Sequence, residues 1–369
     1  MAMKIGGIDV LYKRALPLSD PAANFEGLKP SMQVLPKGFR KTPANREFSS
    51  PTIWERDVTV PMRDGIILRA DIFRPAGTIA KVPCILVWSP YGKSSQGRLS
   101  MAVVQGNAGI PESELSGFQS FEAPDPAEWV PHGYAIANLT WSGWHGVGEG
   151  QDGYDTIEFL GTREWCDGKV AMMGNSWLAT AQWFIAAERP PHLTCMLPLE
   201  GLSDVYRETL CRGGVPYKPF WGFLMTTFFS DEEQEDVISM IEKYPLMNEY
   251  WEDKRGKAHL IEVPTYVLAS MSTMLHTEGS TRCYEEIPHD KKCKLPPGKI
   301  VRLDIPIWVA AIEFDAGEKL VVKISGHEMR LAEFEPLRGR FLTGNKERQV
   351  VHFGGEFDSH VEIPLVPIS

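Results

Sequence analysis

Ser176 stands in the stretch Gly168-Lys169-Val170-Ala171-Met172-Met173-Gly174-Asn175-Ser176-Trp177-Leu178-Ala179. Here an apolar strand runs into a Gly-x-Ser turn, and the spacing predicts a helix over residues 179–188. A tight strand-to-helix bend of this kind pushes a serine hydroxyl out above a sheet, where it can attack an acyl carbon. Gly174, two residues earlier, gives the bend room. The helix start supplies backbone N–H groups and the positive end of its dipole beside the reacting atom. The chemistry implied is nucleophilic catalysis by Ser176.

Few other segments offer chemistry. Ser89-Pro90-Tyr91-Gly92-Lys93 closes an unbroken apolar strand at 82–88. It therefore falls at a strand's C-terminal edge, where open α/β sheets collect ligand-binding groups. Tyr91 can serve there as a donor or as a core aromatic capping the strand. The Gly-rich segment 142–150 lacks the Gly-Lys-Ser/Thr ending of a phosphate loop and reads as a structural loop. The six cysteines show no Cys-x-x-Cys spacing and are expected as reduced, small hydrophobes. No metal constellation or cofactor motif is visible, so no cofactor is expected.

Composition narrows the class. At 369 residues, 43% hydrophobic and 23% charged, the chain is long enough for two domains of ordinary globular composition. The net charge of −10 with no basic run argues against nucleic acid as a partner. No apolar run approaches the roughly 18–20 residues that span a bilayer, so no membrane partner is expected. The first nine residues lack a signal-peptide core, which predicts a cytoplasmic location. Oligomeric state stays open, a homo-oligomer included.

The elements that must position Ser176 follow from periodicity. Residues 1–50 read as an extended, loosely packed arm. A β-hairpin is expected from 54–60 and 66–73, turning at Arg63-Asp64-Gly65. A helix near 126–132, strands at 134–139 and 168–173, a helix over 152–163 and strands at 194–197 and 263–269 complete an α/β alternation. Residues 202–260 are acidic and aromatic-rich, with a helical patch at 231–244, and read as a helical cap over the site. A short helix is expected at 281–287. From 294 the pattern changes to period-2 segments divided by Gly and Pro turns, as in an antiparallel β-sandwich. The expected division is therefore an α/β domain over 1–293 and a shortened sandwich over 294–369.

Taken in order, these landmarks resemble the CocE/NonD hydrolases, a family of α/β-hydrolase fold with a C-terminal jelly roll. The resemblance rests on Val60-Pro61-Met62-Arg63-Asp64-Gly65, the Ser-Pro-Tyr-Gly-Lys loop, and Asp152-Gly153-Tyr154-Asp155. It continues through Trp165-Cys166-Asp167-Gly168-Lys169-Val170, Phe314-Asp315-Ala316-Gly317-Glu318 and His352-Phe353-Gly354-Gly355-Glu356. It implies a serine hydrolase cleaving an ester or amide through an acyl-enzyme. Ser176 would attack, and the Trp177 N–H and the Tyr91 phenol would hold the oxyanion. The cap aromatics Tyr206, Tyr217, Phe220, Trp221, Phe223, Phe228 and Phe229 would accept an apolar acyl or alcohol group if they face the site; otherwise they form only the cap's own core.

The chain departs from the family pattern where the triad acid and histidine belong. The turn after 263–269 reads Ser270-Met271-Ser272-Thr273-Met274-Leu275-His276, without aspartate. The strand and loop that carry the family's histidine have no counterpart before Cys293, as if an internal block were missing. His276, just past a sheet strand, is the candidate base, with His289 behind it. The alternative is a catalytically impaired or inactive member lacking the triad histidine and aspartate. A carbohydrate-binding role for the sandwich is a weaker third reading.

Overall fold

The computed structural model describes residues 3–93, 110–140, 146–212, 214–270 and 275–288. His289 and the sandwich expected over 294–369 lie outside these residues. Seven strands form the central sheet: β1 (Ser31–Leu35), β2 (Thr52–Pro61), β3 (Ile67–Pro75), β4 (Val82–Ser89), β5 (Ala135–Thr140), β6 (Cys166–Asn175) and β7 (Leu193–Leu199). Their spatial order is β7-β6-β4-β5-β3-β2-β1. The first four in that order run parallel; β3, β2 and β1 pair antiparallel. This is the mixed sheet expected of an α/β-hydrolase.

The alternation of β4 explains why it lies inside. Ile85 and Val87 join one buried cluster with Phe73, Ile136, Trp177 and Leu178, while Cys84, Leu86 and Trp88 join a second with Ile157, Leu160 and Trp183. A strand covered on both faces needs apolar residues at every position, hence its unbroken apolar run. Helices α1 (Pro126–Trp129), α2 (Val147–Gly161) and α3 (Trp177–Ala187) follow in chain order. Asp125 caps α1 by accepting from the Ala127 N–H at 2.8 Å, with Pro126 at the position where no N–H is needed. In α3 every residue from Trp177 to Ala186 is buried, so both its faces are covered.

The cap is built from α4 (Pro219–Leu224), α5 (Val237–Lys243) and α6 (Glu249–Asp253), with a π-helical turn at Tyr206–Leu210. Four expectations need correction. The N-terminal arm is not loose throughout: Tyr12–Arg14 pairs with Glu233–Glu235 of the cap, and Ser31–Leu35 is the outermost strand of the main sheet. Glu233–Glu235 is accordingly a strand and not the start of a helix; helix α5 begins only at Val237, capped by Asp236. The Gly-rich loop ends earlier than expected, because residues 147–150 already form the first turn of α2. The predicted strand at 263–269 makes only two isolated parallel bridges to β7, through Thr265 and Leu268. Among the described residues, no helix is long and apolar enough to cross a membrane.

Helix α7 (Thr277–Glu286) seats on the segment that leaves β7. Ser280 Oγ accepts from the Gly201 N–H at 2.9 Å. A Cβ on Gly279 would stand 2.6 Å from both the Gly201 oxygen and the Ser203 nitrogen, which are backbone atoms that cannot swing away. Gly279→Ala is therefore expected to destabilise the fold by about 1–3 kcal/mol, read as a lowered midpoint in urea or thermal unfolding. An unchanged midpoint would show that α7 has room to lift.

Candidate active site

Strand β6 ends at Asn175, and α3 begins at Trp177; Ser176 alone makes the turn. Its backbone sits at φ 58° and ψ −114°, a left-handed conformation that a non-glycine residue adopts at a cost of roughly 1–3 kcal/mol. The surroundings impose it. The Ser176 N–H donates to the carbonyls of Leu199 and Glu200, both at 3.1 Å, while the Ser176 carbonyl accepts from Ala179 and Thr180. A Cβ on Gly174 would lie 2.4 Å from the Leu178 Cβ, so the turn closes this tightly only with glycine there. As the first helical residue, Trp177 presents its N–H with no helix carbonyl behind it to accept it.

Tyr91 is held against this turn by its own loop. The Tyr91 N–H donates to Ser89 Oγ at 3.1 Å, and Ser120 Oγ donates to the Gly92 carbonyl at 2.6 Å. Two residues on, Lys93 Nζ pairs with Asp57 and, at 2.8 Å, with Asp71, both buried. That buried pairing ties the loop to β2 and β3. The Tyr91 phenol lies within hydrogen-bonding reach of the Ser176 hydroxyl. Burial, and next the charge of Glu122, push its pKa well above the ordinary tyrosine value, so the phenol keeps its proton and can donate. From the cap, Phe228 packs edge-on to Trp177 with ring centres 4.9 Å apart and lies 6.1 Å from Tyr91. Trp221 stands 6.3 Å from Trp177. The cap aromatics thus belong to one core with the site's own aromatic residues.

Two carboxylates at the site escaped the sequence reading. Glu122, in the connection before α1, and Glu200, after β7, both have left-handed backbones, at φ 63° and φ 59°. The Asn175 N–H donates to the Glu122 carbonyl at 3.0 Å, and its side-chain Nδ2 donates to Glu122 Oε1 at 3.4 Å. Tyr91 and Ser176 lie close enough to the Glu122 carboxyl to favour its charged form, whereas Oε2 is sealed from water without a well-aligned donor. Burial dominates and raises the Glu122 pKa to about 8, with the charge of Glu200 adding to the rise. Nothing in the local sequence marks Glu122 or Glu200; only the folded chain brings them to Ser176.

His276 precedes α7 and is buried. Its Nδ1 lies 3.8 Å from Glu200 Oε2 and has no hydrogen-bond partner. The structure thus places His276 beside the residue whose carbonyl receives the Ser176 N–H. His192, read from sequence as structural, pairs through Nδ1 with Glu158 at 2.8 Å. Among the described residues, no group of three His, Cys, Asp or Glu side chains is arranged to hold a metal ion.

The Glu122 environment has a consequence for stability. The folded protein keeps a proton on Glu122 up to about pH 8, while the unfolded chain releases it near the ordinary value of 4.5. Folding therefore takes up a proton in that window, and stability falls as pH rises through it. Replacing Glu122 by Gln removes this contribution. Urea midpoints compared at about pH 5 and about pH 8.5 should fall less in Glu122→Gln than in wild type; equal slopes would show that Glu122 titrates normally.

Residues 64–236 match the model of the X-Pro dipeptidyl-peptidase (S15 family), and residues 228–362 match the X-Pro dipeptidyl-peptidase C-terminal non-catalytic domain. The chain is 27% identical over 207 residues to cocaine esterase of Rhodococcus sp. (strain MB1 Bresler), a match covering 52% of this chain and 33% of the relative. A solved CocE/NonD family hydrolase of Staphylococcus aureus superposes with a TM-score of 0.59 at 32% identity, covering 64% of this chain and 44% of that one. The chain thus spans about a third of the curated relative and under half of the solved structure. With the mixed sheet and the Ser176 turn, these matches establish that the chain belongs to the CocE/NonD family of serine hydrolases.

Proposed function

We propose that this chain is a serine hydrolase cleaving a small ester or amide through an acyl-enzyme on Ser176. The observation that carries the reading is the Ser176 turn itself, held in a left-handed conformation at the strand–helix junction with the Tyr91 phenol at its hydroxyl. Ser176 Oγ attacks the acyl carbon, and the negative charge that develops on the carbonyl oxygen meets the Trp177 N–H and the Tyr91 O–H. Pre-aimed donors of this kind stabilise charge only as it forms, which is what lowers a barrier. The contact of Phe228 and Trp221 with Trp177 supports an apolar acyl group. The division near residue 293 into a catalytic and a C-terminal domain is part of the same proposal, as is a cytoplasmic location.

A second reading, a member with impaired chemistry, has a specific motive. The turn 270–276 carries no aspartate, and the neighbour of His276 is Glu200. A serine without a base is a weak nucleophile, although oxyanion stabilisation alone leaves about 10³–10⁴-fold catalysis over water.

Fluorophosphonate labelling and hydrolysis of a short-chain p-nitrophenyl ester separate the two. Under the first reading wild type labels and turns over, Ser176→Ala does neither, and Tyr91→Phe loses about 10²–10³-fold in kcat. A folded wild type that neither labels nor turns over would establish the second reading.

A further inference from the structure

We propose that Glu122 is the general base of this site, taking the Ser176 proton in the place that a triad histidine fills elsewhere; this rests on the serine-hydrolase reading above. The geometry points there from three sides. The Glu122 carboxyl is held on Asn175, the residue before the nucleophile, near enough to the Ser176 hydroxyl and the Tyr91 phenol for both to favour its charged form. Its backbone is fixed to the nucleophile strand by the Asn175 N–H, and its Oε1 by the Asn175 amide, so it cannot drift from Ser176. Its Oε2 is buried with no well-aligned donor, leaving a lone pair free to receive a proton. His276 lies on the far side of Glu200, its Nδ1 3.8 Å from Glu200 Oε2 and without a hydrogen-bond partner.

The steps balance. As Ser176 Oγ bonds to the acyl carbon, its proton passes to the Glu122 carboxylate and the carbonyl π pair moves onto oxygen, facing Tyr91 and Trp177. On collapse the carbonyl re-forms, the bond to the leaving alkoxide or amine breaks, and Glu122 returns the proton to that leaving group. Water then repeats the sequence: its proton goes to Glu122, its oxygen bonds to the acyl carbon, and Ser176 leaves with the proton. A base works best when its pKa lies near the working pH, and a Glu raised to about 8 meets that condition. Among the described residues, the ionisable groups facing it are Tyr91 from the loop after β4 and Glu200 from the end of β7, with His276 behind Glu200. Tyr91 stays neutral, and Glu200 sets the carboxyl against a like charge, which favours the protonated form.

The test is the pH dependence of fluorophosphonate labelling and of p-nitrophenyl ester hydrolysis in wild type, Ser176→Ala, Glu122→Gln and His276→Ala. In wild type both rates should rise with pH and level near about pH 8. Glu122→Gln, which mimics the protonated carboxyl in shape, should lose about 10²–10⁴-fold and the rising limb with it. Added formate should restore part of the rate to Glu122→Ala, which a merely structural role would not allow. Should the Glu122 variants fail to fold, a wild-type profile flat through this range overturns the proposal by itself. Labelling that needs Ser176 but is unchanged in Glu122→Gln, or a limb lost in His276→Ala and kept in Glu122→Gln, overturns the base and leaves the serine reading intact. A folded wild type that does not label overturns both.

Discussion

The structure turns on the backbone junction where β6 ends. Three non-glycine residues, Glu122, Ser176 and Glu200, adopt left-handed conformations at one place, and hydrogen bonds link them: Asn175 N–H to the Glu122 carbonyl, and Ser176 N–H to the Glu200 carbonyl. Each such residue costs roughly 1–3 kcal/mol in isolation, so their clustering persists only because packing and hydrogen bonds over-determine it. The two buried clusters on either face of the sheet supply that constraint, since α3 is enclosed along its length and cannot relax the turn.

Around this junction the chain converges from distant positions. The loop after β4 brings Tyr91, anchored by Lys93 on Asp57 and Asp71; the connection before α1 brings Glu122; the end of β7 brings Glu200; the start of α7 brings His276. The electrostatics follow from exclusion of water. A phenol and a carboxyl placed side by side with little solvent both hold their protons more tightly. A neutral phenol suits an oxyanion donor, and a carboxyl of raised affinity suits proton exchange with a hydroxyl. Loss of water around the two groups thus shifts both in the same direction.

The N-terminal arm and the cap show how tertiary pairing extends the same design. Tyr12–Arg14 adds to Glu233–Glu235, and Phe228, a few residues earlier in the chain, rests on Trp177 and Tyr91. The arm therefore braces the segment of cap nearest the site. A three-residue pairing like this carries no periodicity, which is why residues 12–14 read as part of a loose arm and 231–244 as helix.

By itself the sequence determined the elements whose burial pattern is strong: the unbroken apolar run of β4, the hairpin of β2 and β3 turning at Asp64-Gly65, and the strand–Ser176–helix turn with its glycine at 174. Those features are local, because strand alternation and turn stereochemistry depend on neighbours in the chain. The ordered landmarks likewise sufficed for the family. What only the tertiary structure decided is the company of Ser176. Glu122 and Glu200 are ordinary polar residues in their own segments, and their chemistry arises from contact across 54 and 24 residues of chain and from shared loss of water. Desolvation and through-space charge have no period along a sequence, so the carboxyl beside the nucleophile became visible only when the chain was folded.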